Sequence, residues 1–253
     1  MRPGDSSSLL LNSLERPARA LVIGASGGIG SAVTDLLVSE GFEAVHAFSR
    51  TVTDKRSPGV HVGRIDIENE ASIAARAKEL IEGAPLRFIL VATGFLHDAA
   101  LQPEKTYRSL DPEHLLKIFR INAIGPALVG KHMLPLLPKA GKSVFAVLSA
   151  RVGSIEDNQL GGWYGYRASK AALNQFIRTF AIEVRRQRPE AICVALHPGT
   201  VDTRLSRPFR AGIEINKILS PVDSAKRLLT VTNTLTPAQT GRFFAWDGRP
   251  IRF

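Results

Sequence analysis

A single cysteine in 253 residues leaves no internal disulfide, and that usage suits a reducing compartment. Cys193 lies among Ile192, Val194 and Ala195, the setting of a buried strand thiol rather than of a nucleophile. No apolar run approaches the roughly 20 residues that span a bilayer, and the longest, Ile89 to Phe95, is strand-sized, so no membrane partner is expected. The six histidines are scattered without metal-ligand spacing, so no metal site is expected. At the N-terminus a short Leu9-Leu10-Leu11 run lacks a basic start and a usable cleavage site, which argues against a signal peptide. Arg2, Arg16 and Arg19 flank Ser-rich sequence and leave an organellar leader open; the expected location is cytoplasmic. Internal repeats, low-complexity segments and domain linkers are also missing.

What is present is a full core: 44% of residues are hydrophobic, the profile of a globular α/β chain. The formal net charge of +10 raises nucleic acid as a partner. The basic residues are spread out, however, with only Arg185-Arg186-Arg188 and Arg204-Arg207-Arg210 as local groups, and no aromatic-interleaved basic run or recognition helix accompanies them. Nucleic acid is therefore not expected, and attraction of an anionic small molecule is the better reading of the charge.

Along the chain, residues 1–17 read as a flexible or loosely docked N-terminal tail and residues 18–253 as one domain. Ala20-Leu21-Val22-Ile23 is a short apolar strand. The turn Gly24-Ala25-Ser26-Gly27-Gly28-Ile29-Gly30 follows at once, then a helical pattern through Val33, Leu36, Leu37 and Val38. Strand, glycine turn, helix is the context in which backbone N–H groups and a helix N-terminus approach a pyrophosphate. Ala44 to Phe48 reads as the second strand, ending in Ser49-Arg50-Thr51. An acidic residue at that place holds a ribose 2′-hydroxyl, whereas an arginine accommodates a 2′-phosphate, so Arg50 with Ser49 favours NADP over NAD.

Further strands are read at Val60 to Ile65, with Asp66-Ile67 at its end beside an adenine, and at Leu86 to Ala92, ending in Thr93-Gly94. Ser143 to Leu148, Ala191 to Leu196 and Gly241 to Ala245 complete seven strands, which alternate with helices as in a doubly wound Rossmann fold with a mostly parallel sheet. One long helix is expected from Pro112 to Leu137, with a buried Asn122 that either kinks it or holds a water. Arg204 to Ser220 is Arg-rich and poor in periodicity, a mobile lid whose arginines either meet an acidic substrate or, by preference, are solvated.

The chemistry is placed in Trp163-Tyr164-Gly165-Tyr166-Arg167-Ala168-Ser169-Lys170, which reads as helix from Arg167. Tyr166 and Lys170 are four apart and share a helix face. An ammonium beside a phenol lowers the phenol pKa and makes the pair a general acid/base.

In motif order the chain resembles the short-chain dehydrogenase/reductase family from about Arg19 onward. Gly24-x-x-x-Gly28-x-Gly30, Asn122, Tyr166-x-x-x-Lys170 and Pro198-Gly199 with Thr203 carry the likeness. Ser149-Ala150-Arg151-Val152-Gly153-Ser154-Ile155 and Phe243-Phe244-Ala245-Trp246-Asp247-Gly248 resemble its C-factor and sniffer-type carbonyl-reductase branch. The resemblance implies an NADP(H)-dependent enzyme that interconverts a small carbonyl compound and its alcohol. Tyr166 is then the acid/base, Lys170 contacts the nicotinamide ribose, and Asn122 holds a relay water. Gly94, Pro198, Gly199, Val201 and Thr203 line the cofactor, and a homodimer or homotetramer is implied.

Three positions depart from the pattern. Ile23 replaces the usual Thr before the glycine turn, and Val91-Ala92-Thr93-Gly94 keeps only the Gly of its turn. The substrate-orienting Ser falls on Ala150, with Ser149 or Ser154 as substitutes; losing such a donor costs about 10²-fold in rate. The alternative reading is a non-catalytic dinucleotide-binding or signalling protein with a degraded site.

Overall fold

The computed structural model describes residues 9–52 and 57–253. Its strands are β1 (Arg19–Ile23), β2 (Ala44–Ser49), β3 (Val60–Arg64), β4 (Leu86–Val91), β5 (Ser143–Leu148), β6 (Ala191–His197), β7 (Thr200–Val201), β8 (Ile218–Leu219), β9 (Phe243–Ala245) and β10 (Pro250–Ile251). The main sheet has eight of them in the order β10-β9-β6-β5-β4-β1-β2-β3, and β7 pairs with β8 separately. The seven-stranded expectation is thus one short. Asp247-Gly248 turns the chain back, Gly248 N donating to Ala245 O at 2.9 Å, and β10 pairs antiparallel with β9. A two-residue strand carries no periodicity by which to be read. All other pairings in the sheet are parallel, and β4 and β5 are buried along their whole length, which explains sequences that are apolar except for Arg87 and Ser143.

The helices are α1 (Gly28–Val38), α2 (Glu70–Glu79), α3 (Pro112–Phe119), α4 (Gly125–Met133), α5 (Tyr164–Val184) and α6 (Pro221–Thr234). One sheet face packs under Ile73, Val129, Leu173 and Ile177 of α2, α4 and α5. The other packs under Val33, Leu37, Leu228 and Leu229 of α1 and α6. Local chemistry sets the starts: the Asp111 carboxylate accepts from His114 N at 2.9 Å and Ser220 Oγ from Asp223 N at 3.0 Å, each followed by proline in the first turn.

The single helix expected over 112–137 is instead α3, a π turn at Arg120–Ile124, α4 and a short 3₁₀ turn, with Asn122 inside the π turn. Pro126, in the first turn of α4, has no N–H to offer the carbonyl of Asn122, and its ring would crowd that carbonyl in a regular helix, so the ladder widens just before it. The segment 204–220 is likewise not featureless, because β8 docks on β7 and two 3₁₀ turns precede it.

Of the N-terminal tail, residues 1–8 lie outside the described residues, and the part that follows is docked on the domain. Leu11 is fully buried and Leu14 nearly so, in the cluster under α1 and α6. The buried Glu40 carboxylate accepts from the N–H groups of Leu10 at 3.1 Å and Leu11 at 2.9 Å. Arg16 donates to Glu40 O at 2.9 Å and lies over the Phe42 ring. Three leucines near a chain end read as a tail only because no periodic element contains them. Leu11→Ala is expected to lower unfolding free energy by about 2–4 kcal/mol in urea titration, whereas a loose tail would give no change.

Because β1 lies between β2 and β4, chain connections leave it in opposite directions, and the carboxyl ends of β1 and β4 open a crevice at that switch point. The turns Gly24–Gly30 and Ala92–Gly94 both start there.

Candidate active site

The glycine turn is closed by backbone alone. Gly24 N donates to Phe48 O at 2.8 Å and Gly27 N to Gly24 O at 3.0 Å, so the hydroxyl missing at Ile23 is not needed to hold it. Gly24 has φ +88°, and a Cβ there would lie 2.9 Å from the Ala92 carbonyl group; a Cβ on Gly30 would collide with Gly24 O. Only glycine permits this approach of β1's turn to β4's. The ladder of α1 begins with Ser31 N donating to Gly27 O. The N–H groups of Gly28, Ile29 and Gly30 thus precede its first rung, with no capping side chain and no acidic residue in the first turn. That end is a free anion cradle.

Beside it, a cavity of about 430 Å³ is lined by Ser26, Ser31, Ser49 and Ser57 among others. Ser49 donates to Thr51 O at 2.7 Å, while Arg50 is 70% exposed and only 3.9 Å from Glu68. Asp66 is folded into a tight turn, its carboxylate accepting from Glu68 N at 3.0 Å, and Ile67 packs inward against Gly125. Thr93 Oγ1 is buried without a partner among the described residues, an orphaned hydroxyl between the two turns.

Across the crevice, Asn122 is fully buried and makes three hydrogen bonds. Its Oδ1 accepts from Phe95 N and its Nδ2 donates to Phe95 O, both at 2.8 Å; Nδ2 also donates to Ser169 Oγ at 3.1 Å. Ser169 Oγ in turn donates to Tyr166 O at 2.8 Å. The Asn122 side chain thus joins the loop after β4 to the first turn of α5. Lys170 Nζ, 2% exposed as a residue, donates to Leu148 O at 2.8 Å and lies 5.9 Å from the centre of the Tyr166 ring. A Cβ built on Gly94 would be 3.8 Å from that Nζ and 4.0 Å from Asn122 Oδ1, and one on Gly28 would be 3.0 Å from Thr203 Cγ2. The glycine turn thus neighbours Thr203 and the Ala92–Gly94 turn, and Gly94 in turn neighbours Asn122 and Lys170. Gly199, at φ +82°, packs against Trp246, and Pro198 O accepts from Ser224 Oγ at 2.9 Å; Val201 is buried in β7.

Two expectations change. Lys170 was expected to depress the Tyr166 pKa; instead burial pushes the phenol well above its ordinary value and brings the Lys170 amine down to about 7. Above that pH the amine is neutral and exerts no cationic pull on the phenol. Ser149, expected in catalysis, donates its hydroxyl to Asn174 Oδ1 at 2.7 Å, and Ser154 Oγ accepts from Asp157 N at 3.1 Å, so neither is bonded to Tyr166. Ala150 lies two residues beyond the end of β5 at Leu148 and precedes a 3₁₀ turn.

Sequence reasoning missed Ser169 and Glu104. The buried Glu104 carboxylate accepts from Gly165 N at 3.2 Å and replaces the missing N-cap side chain of α5 from 61 residues away. An acidic residue just after a proline in a loop gives no periodic signal for that role. The lid arginines, read as solvated, are partly paired: Arg210 meets Asp202 at 2.9 Å and Arg207 at 3.7 Å. Among the described residues there is no metal-capable cluster of His, Cys, Asp and Glu, and no helix is long and apolar enough to cross a membrane.

The family model described as short chain dehydrogenase matches residues 18–214. The C-signal of Myxococcus xanthus is 36% identical over 143 residues, 56% of this chain and 80% of its own length. The 1-hydroxy-2-glutathionyl-2-methyl-3-butene dehydrogenase of Rhodococcus sp. (strain AD45) is 30% identical over 230 residues, 90% of this chain and 96% of its own. The NADPH-bound carbonyl reductase from chicken fatty liver superposes with a TM-score of 0.80 at 26% identity, over 95% of this chain and 96% of that one.

The depressed amine has a thermodynamic signature. Between about pH 7 and the unfolded lysine value near 10.5 the unfolded chain binds the extra proton, so stability from this group rises with pH. Relative to Lys170→Met, which cannot titrate, the wild type is expected to gain up to about 1.4 kcal/mol per pH unit across that window, read by urea denaturation at pH 7, 8 and 9.

Proposed function

The chain belongs to the short-chain dehydrogenase family, and from that premise we propose that it reduces a small or medium carbonyl compound to its alcohol with NADPH, Tyr166 giving the proton. The carrying observation is that Gly94, beside the glycine turn, neighbours Lys170 Nζ and Asn122 Oδ1, with the Tyr166 ring 5.9 Å from that amine. A bound nicotinamide dinucleotide supplies the hydride. The free N–H groups of Gly28, Ile29 and Gly30 would hold its pyrophosphate, the Thr93 hydroxyl would find its missing partner there, and Lys170 Nζ faces the space beside Gly94 for a ribose.

The roles of this chain's own groups follow from their environments. Burial keeps the Tyr166 phenol protonated, the state an acid needs when the carbonyl oxygen acquires charge. Asn122 and Ser169 fix the first turn of α5 and with it the phenol's position. Lys170, anchored on Leu148 O, has further N–H capacity for a sugar hydroxyl. Arg50, Ser26 and Ser49 flank the place of a 2′-phosphate, which supports NADP; Asp66 and Ile67 would border the adenine, with Gly24, Pro198, Gly199, Val201 and Thr203 around the remainder. Exposed Phe176 and Ile182 on α5, with Leu116 and Ile124 on the neighbouring turns, suit the association into dimers or tetramers that the resemblance implies.

Purified protein is expected to oxidise NADPH in the presence of a ketone or aldehyde panel, followed at 340 nm. Tyr166→Phe should lower the rate by about 10²–10⁴-fold while cofactor binding by calorimetry persists. NADPH binding without turnover over the whole panel would favour the non-catalytic alternative. Arg50→Ala should weaken NADPH about ten- to a hundredfold and leave NADH nearly unchanged; equal loss for both would remove the 2′-phosphate assignment.

A further inference from the structure

Three consecutive residues before α5 adopt left-handed backbone: Gly161 and Gly162 at φ +65° and Trp163 at φ +52°. Glycine is at ease there, whereas a bulky residue is rare in that region and persists only where its surroundings over-determine it. Those surroundings are present. Arg167 donates to Gly162 O at 2.9 Å and Gly161 O at 3.1 Å, and Trp163 N donates to Glu104 O at 2.5 Å. The first turn of α5 does not need an indole, because Trp163 offers no side-chain cap and Glu104 serves Gly165 N. What the conformation fixes is the direction of the ring.

That ring lies edge-to-face with Tyr166 at 6.2 Å and with Phe209 at 5.0 Å. Phe209 continues to His97 at 5.1 Å, again edge-to-face, and His97 Nε2 is 3.2 Å from Leu205 O. Leu205 Cδ1 would lie 3.7 Å from a Cβ on Gly94. An aromatic wall thus runs from the proton-donating tyrosine to the loop that faces Lys170. The charges around it are mostly satisfied: Asp202 meets Arg210 and Arg207, Arg151 meets Asp157 at 3.2 Å, Lys117 meets Asp98 at 2.5 Å, and Arg167 is spent on carbonyls. Arg204 alone of the lid arginines has no acidic partner among the described residues, and it is exposed.

We propose that Trp163 is the specificity-determining residue of this site and that, with Phe209 and His97, it selects carbonyl compounds bearing an aromatic ring next to the carbonyl group. The inference rests on the reading of Tyr166 as proton donor. The step is the one already given: hydride adds to the carbonyl carbon, the phenolic proton goes to its oxygen, and the ring takes no part in bond making.

Acetophenone and cyclohexyl methyl ketone present the same number of heavy atoms with and without a ring of π electrons. Conjugation changes intrinsic reactivity, so the decisive quantity is how the ratio of their kcat/KM values moves between enzymes. Trp163→Gly keeps a residue at home in left-handed backbone and deletes the ring; Phe209→Leu does so from the lid and covers the case in which the first variant does not fold. The ratio is expected to fall by about tenfold in each variant. An unchanged ratio in both overturns the proposal and leaves the reductase reading standing. Calorimetry on the Tyr166→Phe protein with NADP⁺, comparing 1-phenylethanol with 1-cyclohexylethanol, needs no turnover. Tighter phenyl binding that Trp163→Gly abolishes supports the wall even if no carbonyl is reduced, which would sink the reductase reading alone; equal binding of the two alcohols overturns the wall.

Discussion

The buried amide of Asn122 is the constraint on which the site depends. Its oxygen and nitrogen clasp both backbone groups of Phe95, and the second N–H reaches Ser169, whose hydroxyl holds Tyr166 O. Three segments distant in sequence are thereby set in one register: the loop after β4, the π turn and the first turn of α5. In a fully buried location each lost partner would leave a desolvated donor or acceptor, typically a loss of about 1–3 kcal/mol, so the arrangement tolerates little drift. The π turn belongs to the same constraint. It widens the helix where the amide must turn inward, and the fold accepts an irregular ladder between α3 and α4 to keep that side chain directed at Phe95.

Electrostatics in the crevice are separated into two parts. Toward the glycine turn, the positive end of α1 is left open, with neither cap nor acidic residue to neutralise it. Toward Tyr166, burial drives both ionisable groups to their neutral forms: the phenol keeps its proton and the amine gives its up above about pH 7. In the proposed reaction an anionic cofactor would meet backbone dipoles, and the carbonyl would meet uncharged donors in a buried setting, where a hydrogen bond is stronger than in water. Of the arginines and lysines around this end of the crevice, Arg210, Arg151 and Lys117 are paired with Asp202, Asp157 and Asp98, Arg167 is held on carbonyl groups, and Arg204 is exposed without an acidic partner among the described residues.

Much of this was legible in the sequence because it is local. Strand, glycine turn and helix are contiguous, and Tyr166 and Lys170 share a helix face by spacing alone. The central parallel strands announce themselves as mostly apolar runs because both faces are covered. What could not be read is non-local. Glu104 reaches Gly165, Ser149 turns to Asn174, Glu40 receives the N–H groups of Leu10 and Leu11, and Asp202 collects two arginines of the lid. Each is a pairing between residues that carry no periodic signature. The pKa of Tyr166 was misjudged for a related reason: spacing shows that an amine is near, but not that burial has neutralised it.

The commitment of Ser149 has a consequence for how a substrate is oriented. With its hydroxyl on Asn174, and Ser154 accepting from Asp157 N, neither serine is bonded to Tyr166, the proposed acid. One hydrogen bond fixes the distance of a carbonyl oxygen but leaves rotation about that bond free, and an attack on one face requires that rotation to be stopped. Directional polar contacts being few, the stop has to come from shape. The Trp163 ring stands next to the Tyr166 ring, with Phe209 packed against it as well, and the backbone of Trp163 is held by contacts at Gly161, Gly162 and Glu104, so it offers a rigid surface at little further entropic cost. The unusual backbone of Trp163 and the diverted serine are in this view complementary: orientation is transferred from a hydrogen-bond donor to an aromatic wall.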